Sequence, residues 1–245
     1  MRSSIAAVTG LTLALLLSAS LPAQEATLRD LGVQQLDAAG NLARQLKAES
    51  AKGWTGRTSQ LHQGTVEFFA TEKGLSVKVA TLEFADATYD PLSGIVAGDG
   101  HVVLRSARGD LAGDGFQYDL ARNHLRLKSA VTFDLNGAHL EGGEAEADLA
   151  QGQAKDMPLI LRATVKKGVV VNADAAAKLQ FDRAKTESAA YTAADDTVVL
   201  ASPVETWRGG EKMITEGKTI SFQVGKNSTP PFSPAARSAN PATSP

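Results

Sequence analysis

The clearest alternation in the chain is "LRLKSAVTFDLNG", residues 125–137. Leu125, Leu127, Val131, Phe133 and Leu135 alternate with Arg126, Lys128, Thr132 and Asp134. A period of two places one set on each face of a strand, so the segment predicts a strand buried on one side. Turn residues punctuate such runs. Asp90-Pro91-Leu92-Ser93-Gly94, Asn136-Gly137 and Arg208-Gly209-Gly210 interrupt the alternation with residues that tolerate turn dihedrals. Upstream, "VQQLDAAGNLARQLKAESA" and "TVEFFATEKGLSVKVATLEFA" predict hairpins turning at Asp37 to Gly40 and at Glu72 to Gly74. The alanines of the first suggest a helix, but Gly40-Asn41 and the alternation from Asn41 to Ala48 favour strands. Downstream, "LILRATVKKGVVVNADA" predicts another hairpin around Lys166 to Gly168.

The strands repeat. Residues 110–123, "DLAGDGFQYDLARN", align with residues 139–152, "HLEGGEAEADLAQG", at an offset of 29. The same offset carries Tyr89-Asp90 onto Tyr118-Asp119, Val96 onto Leu125, Val102 onto Val131 and Leu104 onto Phe133. A further copy lies 73 residues downstream, where Tyr191, Val198, Leu200, Ser202 and Val204 stand for Tyr118, Leu125, Leu127, Ser129 and Val131. The longer offset implies an extra hairpin in between. Repetition of one hairpin unit predicts an all-β fold in a single region, residues 27–226.

If the hairpins stack, one apolar stripe runs through them. It comprises Val96, Val102, Leu104, Leu111, Leu125, Leu127, Val131, Phe133, Leu140, Val198, Leu200, Val204 and Met213. Such a stripe is either a closed core or the lining of an apolar groove.

Composition narrows the function classes. Lys+Arg 25 against Asp+Glu 27, without a basic block or an Arg-rich aromatic cluster, offers no electrostatic footprint for nucleic acid. With no cysteine, disulfides, zinc-thiolate sites and thiol nucleophiles are excluded. The first residues, "MRSSIAAVTGLTLALLLSASLPAQEA", combine Arg2, an apolar run from Ile5 to Leu17, small residues and Pro22. They read as an export signal over residues 1–23, cut near Ala23, with an uncleaved membrane anchor as the alternative. Residues 227–245 are rich in proline and small polar residues without periodicity, and are expected to be a disordered tail.

Chemistry is harder to find. "AGDG" occurs at 97–100 and 112–115, but the 29-residue offset turns Asp99 into Lys128 and Asp114 into Gly143. A metal loop that defined the unit would keep its ligands, so these glycines are expected at bends, close approaches or turns. No cofactor is expected. His62, His101, His124 and His139 lack metal spacing, and His101 and His124 fall opposite Val102 and Leu125 in the alternation, as solvated strand residues do. No GxSxG elbow is present. Acidic residues such as Asp99, Asp114, Glu144 and Glu146 could in principle form a glycosidase-type carboxylate pair, but no aromatic sugar platform accompanies them. Trp207 is out of step with Val204 and is expected at an edge or rim, as is Trp54; Asn227-Ser228-Thr229 is a chance-level sequon.

The stretch "ATYDPLSGIVAGDGHVVLRSARGDLAGDGFQYDLARNHLRLKSAVTFDLNGAHLEGGEAEADL" resembles the OstA-like domain of the periplasmic lipopolysaccharide-transport proteins, the A and C components of the transport bridge. There, Tyr-Asp precedes a turn, a Gly-x-Val strand follows and a Gly-x-Leu strand leads on. "LDAAGNLARQLKAESA" and "GTVEFFATEKG" are similar to the opening hairpins of the C component, so the resemblance covers residues 31–152, with a weaker continuation to Val224. It implies an open, twisted β-jellyroll whose apolar groove, here the stripe, shields lipopolysaccharide acyl chains. It also implies partners: other bridge jellyrolls joined edge to edge, and an inner-membrane transporter. The resemblance implies a non-enzymatic role in the periplasm and in outer-membrane biogenesis. The extra strands to residue 226, the signal and the tail depart from a C component. Two other readings are a structural β-repeat protein with a closed core and, last, an envelope polysaccharide enzyme.

Overall fold

The computed structural model describes residues 27–53, 58–150, 158–174 and 179–224, and every regular element among them is a β-strand. In chain order these are β1 (Thr27–Leu36), β2 (Leu42–Lys52), β3 (Ser59–Glu72), β4 (Leu75–Asp90), β5 (Ile95–Ser106), β6 (Gly109–Asp119), β7 (His124–Leu135) and β8 (Ala138–Gly142). There follow β9 (Glu144–Leu149), β10 (Ile160–Ala173), β11 (Arg183–Thr192), β12 (Thr197–Leu200), β13 (Val204–Arg208), β14 (Glu211–Thr215) and β15 (Ile220–Gln223). They form one antiparallel sheet: β1 to β8 in sequence, then β10, β11, β12 and β15. Strand β9 bridges β7 and β10, and β13 and β14 branch from β11. The expected export signal and tail lie outside the described residues.

The predicted hairpin turns are present with one exception, Lys166 to Gly168. Gly40, Gly74, Gly94, Gly137, Gly209 and Gly210 all take the left-handed backbone that a tight reversal needs. The Tyr-Asp pairs have a local explanation. Asp90 Oδ1 accepts the Leu92 N–H at 2.9 Å, and Asp119 Oδ1 accepts those of Ala121 and Arg122 at 2.9 Å each, so each aspartate caps the turn that follows it.

A second kind of irregularity crosses the middle of the strands. Register jumps between Gly98 and His101 in β5 against β6, between Ala112 and Asp114 in β6 against β7, and between Lys166 and Val169 in β10 against β11. Asp30, Gln63, Gly115, Ala130, Lys167, Gly168 and Gly217 have positive φ along the same line. Elsewhere on that line the strand is divided in two, as β8 from β9 at Gly143 and β12 from β13 at 201–203. An extra residue in one strand bends it and increases its twist. Repeated across the sheet, the bulges make a seam along which it folds over into two facing layers.

One layer holds the segments 64–72, 75–84, 101–106, 131–135, 169–173 and 204–208; the other holds 86–90, 95–97, 116–119, 124–128, 160–166 and 197–200. The duplicated "AGDG" lies on the seam. A Cβ on Gly98 would sit 2.5 Å from the Asp86 carbonyl oxygen and 2.8 Å from the Phe116 ring, so the backbones approach too closely there for a side chain.

One sequence expectation is corrected here. Lys166 to Gly168 is not a hairpin turn but the bulge within β10, which continues through it. Lys167 and Gly168 both have φ of 69°, and together they stand against the single residue between Thr186 and Ser188 on β11. Two left-handed residues bend a strand when its partner continues past them. The same Gly-containing signal therefore serves both bend and reversal.

Candidate functional site

Between the layers lies one apolar cluster, running from Leu31 to Val224. Of the predicted stripe, Val96, Leu125, Leu127, Val198 and Leu200 come from one layer, and Val102, Leu104, Leu111, Val131, Phe133, Leu140 and Val204 from the other. All of these are at most 2% exposed, so in this structure the interior is closed on itself. Met213 is the exception and a correction: it is 65% exposed. It stands opposite buried Thr206, which puts it on the inward side of β14, but β14 pairs only with β13 and its neighbour Ile214 is 54% exposed. The alternation identified the face correctly. Nothing among the described residues covers that face at the end of the sheet.

Two polar clusters tie the layers together, and each repeats the other. At the first, Tyr118 takes the edge of Phe68 from the facing layer at 5.8 Å between ring centroids, and its hydroxyl accepts from Arg44 Nη1 at 2.9 Å. Arg44 Nη1 also donates to Asn123 Oδ1, and the Tyr118 hydroxyl donates to that oxygen at 3.3 Å. At the second, Tyr191 takes the edge of Phe133 at 5.6 Å and donates to Asp196 Oδ1 at 3.1 Å, while Arg108 Nη1 reaches the same oxygen at 3.3 Å. Burial pushes both phenols up, Tyr191 further by the neighbouring Asp196, so both remain neutral donors. The 73-residue offset carries Tyr118 onto Tyr191 and Asn123 onto Asp196. These two clasps span the gap between layers on the side away from the seam.

The outer face is a ladder of cross-strand pairs between acidic and basic side chains. Every histidine faces an aspartate directly across from it: His62 with Asp86, His101 with Asp114, His124 with Asp148 and His139 with Asp134. The acids considered for a glycosidase pair are each engaged by a basic side chain instead. Asp99 meets Lys128 at 2.8 Å, Asp114 meets His101 at 2.8 Å, Glu144 meets Lys167 at 2.7 Å and Glu146 meets Arg126 at 3.7 Å. The lysine contacts hold Asp99 and Glu144 below the usual carboxylate range, opposite to what a general acid needs. Trp207 lies half-buried on the outward side of β13, with Arg183 at 5.6 Å and Lys212 at 5.4 Å from its ring. Among the described residues, no three of His, Cys, Asp or Glu gather to hold a metal ion. Trp54 and the sequon at Asn227 lie outside the described residues.

Comparison with protein-family models finds no match to this chain, and neither does comparison with curated proteins. The sequence reading missed the clasps. Extending the repeat five residues past each tyrosine would have found Asn123 and Asp196, whereas Arg44 and Arg108 lie outside the aligned unit and carried no signal.

Proposed function

We propose that this chain is a non-enzymatic carrier of the cell envelope, a β-jellyroll that shields the acyl chains of lipopolysaccharide or a related lipid between its layers. The observation that carries this reading is the uninterrupted apolar interior, shared by both layers from Leu31 to Val224. Burying a methylene is worth about 0.8 kcal/mol, so a long acyl chain crosses water economically only inside such an interior. Entry requires the layers to part, and the surface they expose is covered again by the chain itself. The edge strands fit the second part of the role. β1 lies at one end of the sheet and β14 and β15 at the other, offering backbone groups that a neighbouring jellyroll or an inner-membrane transporter can extend. On this reading the protein works in the periplasm after export.

A closed structural β-repeat is the second reading, favoured by the near-complete burial of the stripe residues. In-cell photocrosslinking separates them. Benzoylphenylalanine at Phe133, which faces inward, is compared with the same group at the neighbouring Thr132, followed by detection of lipopolysaccharide. A crosslink at Phe133 alone is the expected result. Silence at both positions in folded, exported protein would leave the closed scaffold as the better account.

A further inference from the structure

The outward face of the sheet changes character at its last strands. Arg183 on β11, Trp207 on β13 and Lys212 on β14 stand directly across from one another in one row. Lys185, Glu205 and Ile214 form the next row, toward the seam. Both cations of the first row lie over the indole, at 5.6 and 5.4 Å from its centroid. Toward the start of the chain, cations on the same layer are matched by acids. Glu67 lies between Lys47 at 2.6 Å and Lys78 at 3.3 Å, and Arg105 has Glu83 at 3.5 Å and Asp110 at 3.4 Å. In the two rows at the end, Glu205 joins Lys212 at 2.8 Å, while exposed Arg183 and Lys185 meet no carboxylate among the described residues. The other acids nearby lie off these rows. Asp182 accepts the Gly209 N–H, Glu187 stands at the bulge on the seam, and Glu211 and Glu216 lie at the two ends of β14.

The same corner of the sheet is also apolar. Among the described residues, Met213 and Ile214 are the only large apolar side chains exposed in succession. They lie on β14, which pairs only with β13 and so leaves its other edge open. Soluble sheets usually guard such an edge with charge, and here Glu211 and Lys212 do so at one end only. Because β14 is the last strand of its layer, a surface that meets the corner of the sheet meets outward Ile214 and inward Met213 together. Tryptophan, unmatched cations and exposed aliphatic groups are the set that suits the headgroup level of an anionic bilayer. The indole favours the interface, the cations meet phosphates, and the aliphatic groups enter the acyl boundary. Water and headgroups at that depth also satisfy the open backbone edge, which the hydrocarbon core would not.

We propose that the β13–β14 hairpin, with Arg183 and Lys185 beside it, is a contact surface for an anionic lipid bilayer. Arg183, Lys185 and Lys212 reach headgroup phosphates, Trp207 lies among the headgroups, and Met213 and Ile214 dip below them. A soluble polyanion would use the cations and leave the aliphatic pair without a role, so the bilayer accounts for more of the surface. This contact lies outside the two layers and does not depend on what the interior holds. It leaves β1 and β15 open to partner sheets.

The chain has two tryptophans, so the full chain carrying Trp54→Phe reports on Trp207 alone. Its emission is followed with mixed phosphatidylglycerol–phosphatidylcholine vesicles, with phosphatidylcholine vesicles and with soluble polyphosphate. Mixed vesicles should shift the emission to the blue, brominated acyl chains in them should quench it, and added salt should reverse both. Phosphatidylcholine alone should do neither. Adding Arg183→Gln with Lys185→Gln should weaken the affinity about tenfold or more. Adding Met213→Ser with Ile214→Ser should reduce the quenching. All four positions are exposed, and circular dichroism checks that each variant is folded. No response of Trp207 to mixed vesicles, or a response unchanged in either double variant, would overturn the proposal. So would an equal response to polyphosphate, which would make the surface a polyanion site. Reading Trp207 itself separates this surface from vesicle binding by the first residues of the chain. Crosslinking at Phe133 depends on none of these side chains, so failure here is distinguishable from failure of the carrier reading.

Discussion

The two clasps share an architecture and differ in one atom pair's worth of charge. In both, a buried tyrosine of one layer meets the edge of a phenylalanine of the other, and a left-handed residue at the rim receives an arginine from across the gap. At the second, Asp196 neutralises Arg108, whose side chain is still 41% exposed. At the first, the amide of Asn123 replaces the carboxylate, and the arginine is sealed from water. A scaffold that needed only a strap would use the ion pair twice. The pair of clasps thus separates holding the layers together, common to both, from an unmet charge, particular to one.

The largest effect should come from the part they share. Phe68→Ala and Phe133→Ala each remove a ring packed between the layers, and each is expected to cost about 3–5 kcal/mol in urea denaturation, as for buried aromatic truncations generally. Unequal losses would mean that the clasps do not carry the interface alike.

Next comes the charge exchange. Asn123→Asp should stabilise the fold by about 1–2 kcal/mol, because a buried guanidinium gains a counter-ion, and Asp tolerates the left-handed backbone there. Asp196→Asn should cost about 1 kcal/mol, the smaller value reflecting solvent around Arg108. Urea midpoints of both variants check this, and a loss of stability in Asn123→Asp would break the comparison.

The seam should respond independently of either clasp. Gly98→Ala forces a methyl against the Asp86 carbonyl and is expected to cost about 1–3 kcal/mol, with crosslinks at Phe133 retained.

The smallest effect belongs to the outer ladder. Partial burial of His139 opposes its charge, but the Asp134 and Glu141 carboxylates outweigh it and hold the imidazole above its usual range. The folded chain thus binds that proton more tightly than the unfolded one. Its stabilisation is fully present below the unfolded pKa of about 6.5 and fades as pH rises through the higher folded value. His139→Gln should therefore cost about 0.5 kcal/mol at pH 5.5 and nothing at pH 9, the exposed pair being weak. A pH series of urea midpoints reads the difference.

Strand identity, most turns and the inward face were legible in the sequence because they are local. A period of two assigns each side chain to a face, and Leu125, Leu127, Val131 and Phe133 obey it. Met213 shows the limit of that rule: parity names the face, while coverage depends on what another part of the sheet brings over it. Lys167-Gly168 shows a second limit, since a left-handed pair bends or reverses a strand according to whether the partner strand continues. Sequence by itself determined the repeated antiparallel strands and the apolar stripe. Only the tertiary structure decided that the stripe divides between two layers, that the seam folds them together, and that Arg44 meets Tyr118 and Asn123 from more than seventy positions away. Periodicity is written along one strand, whereas the fold-over and the unpaired charge arise between segments whose spacing in the chain carries no period.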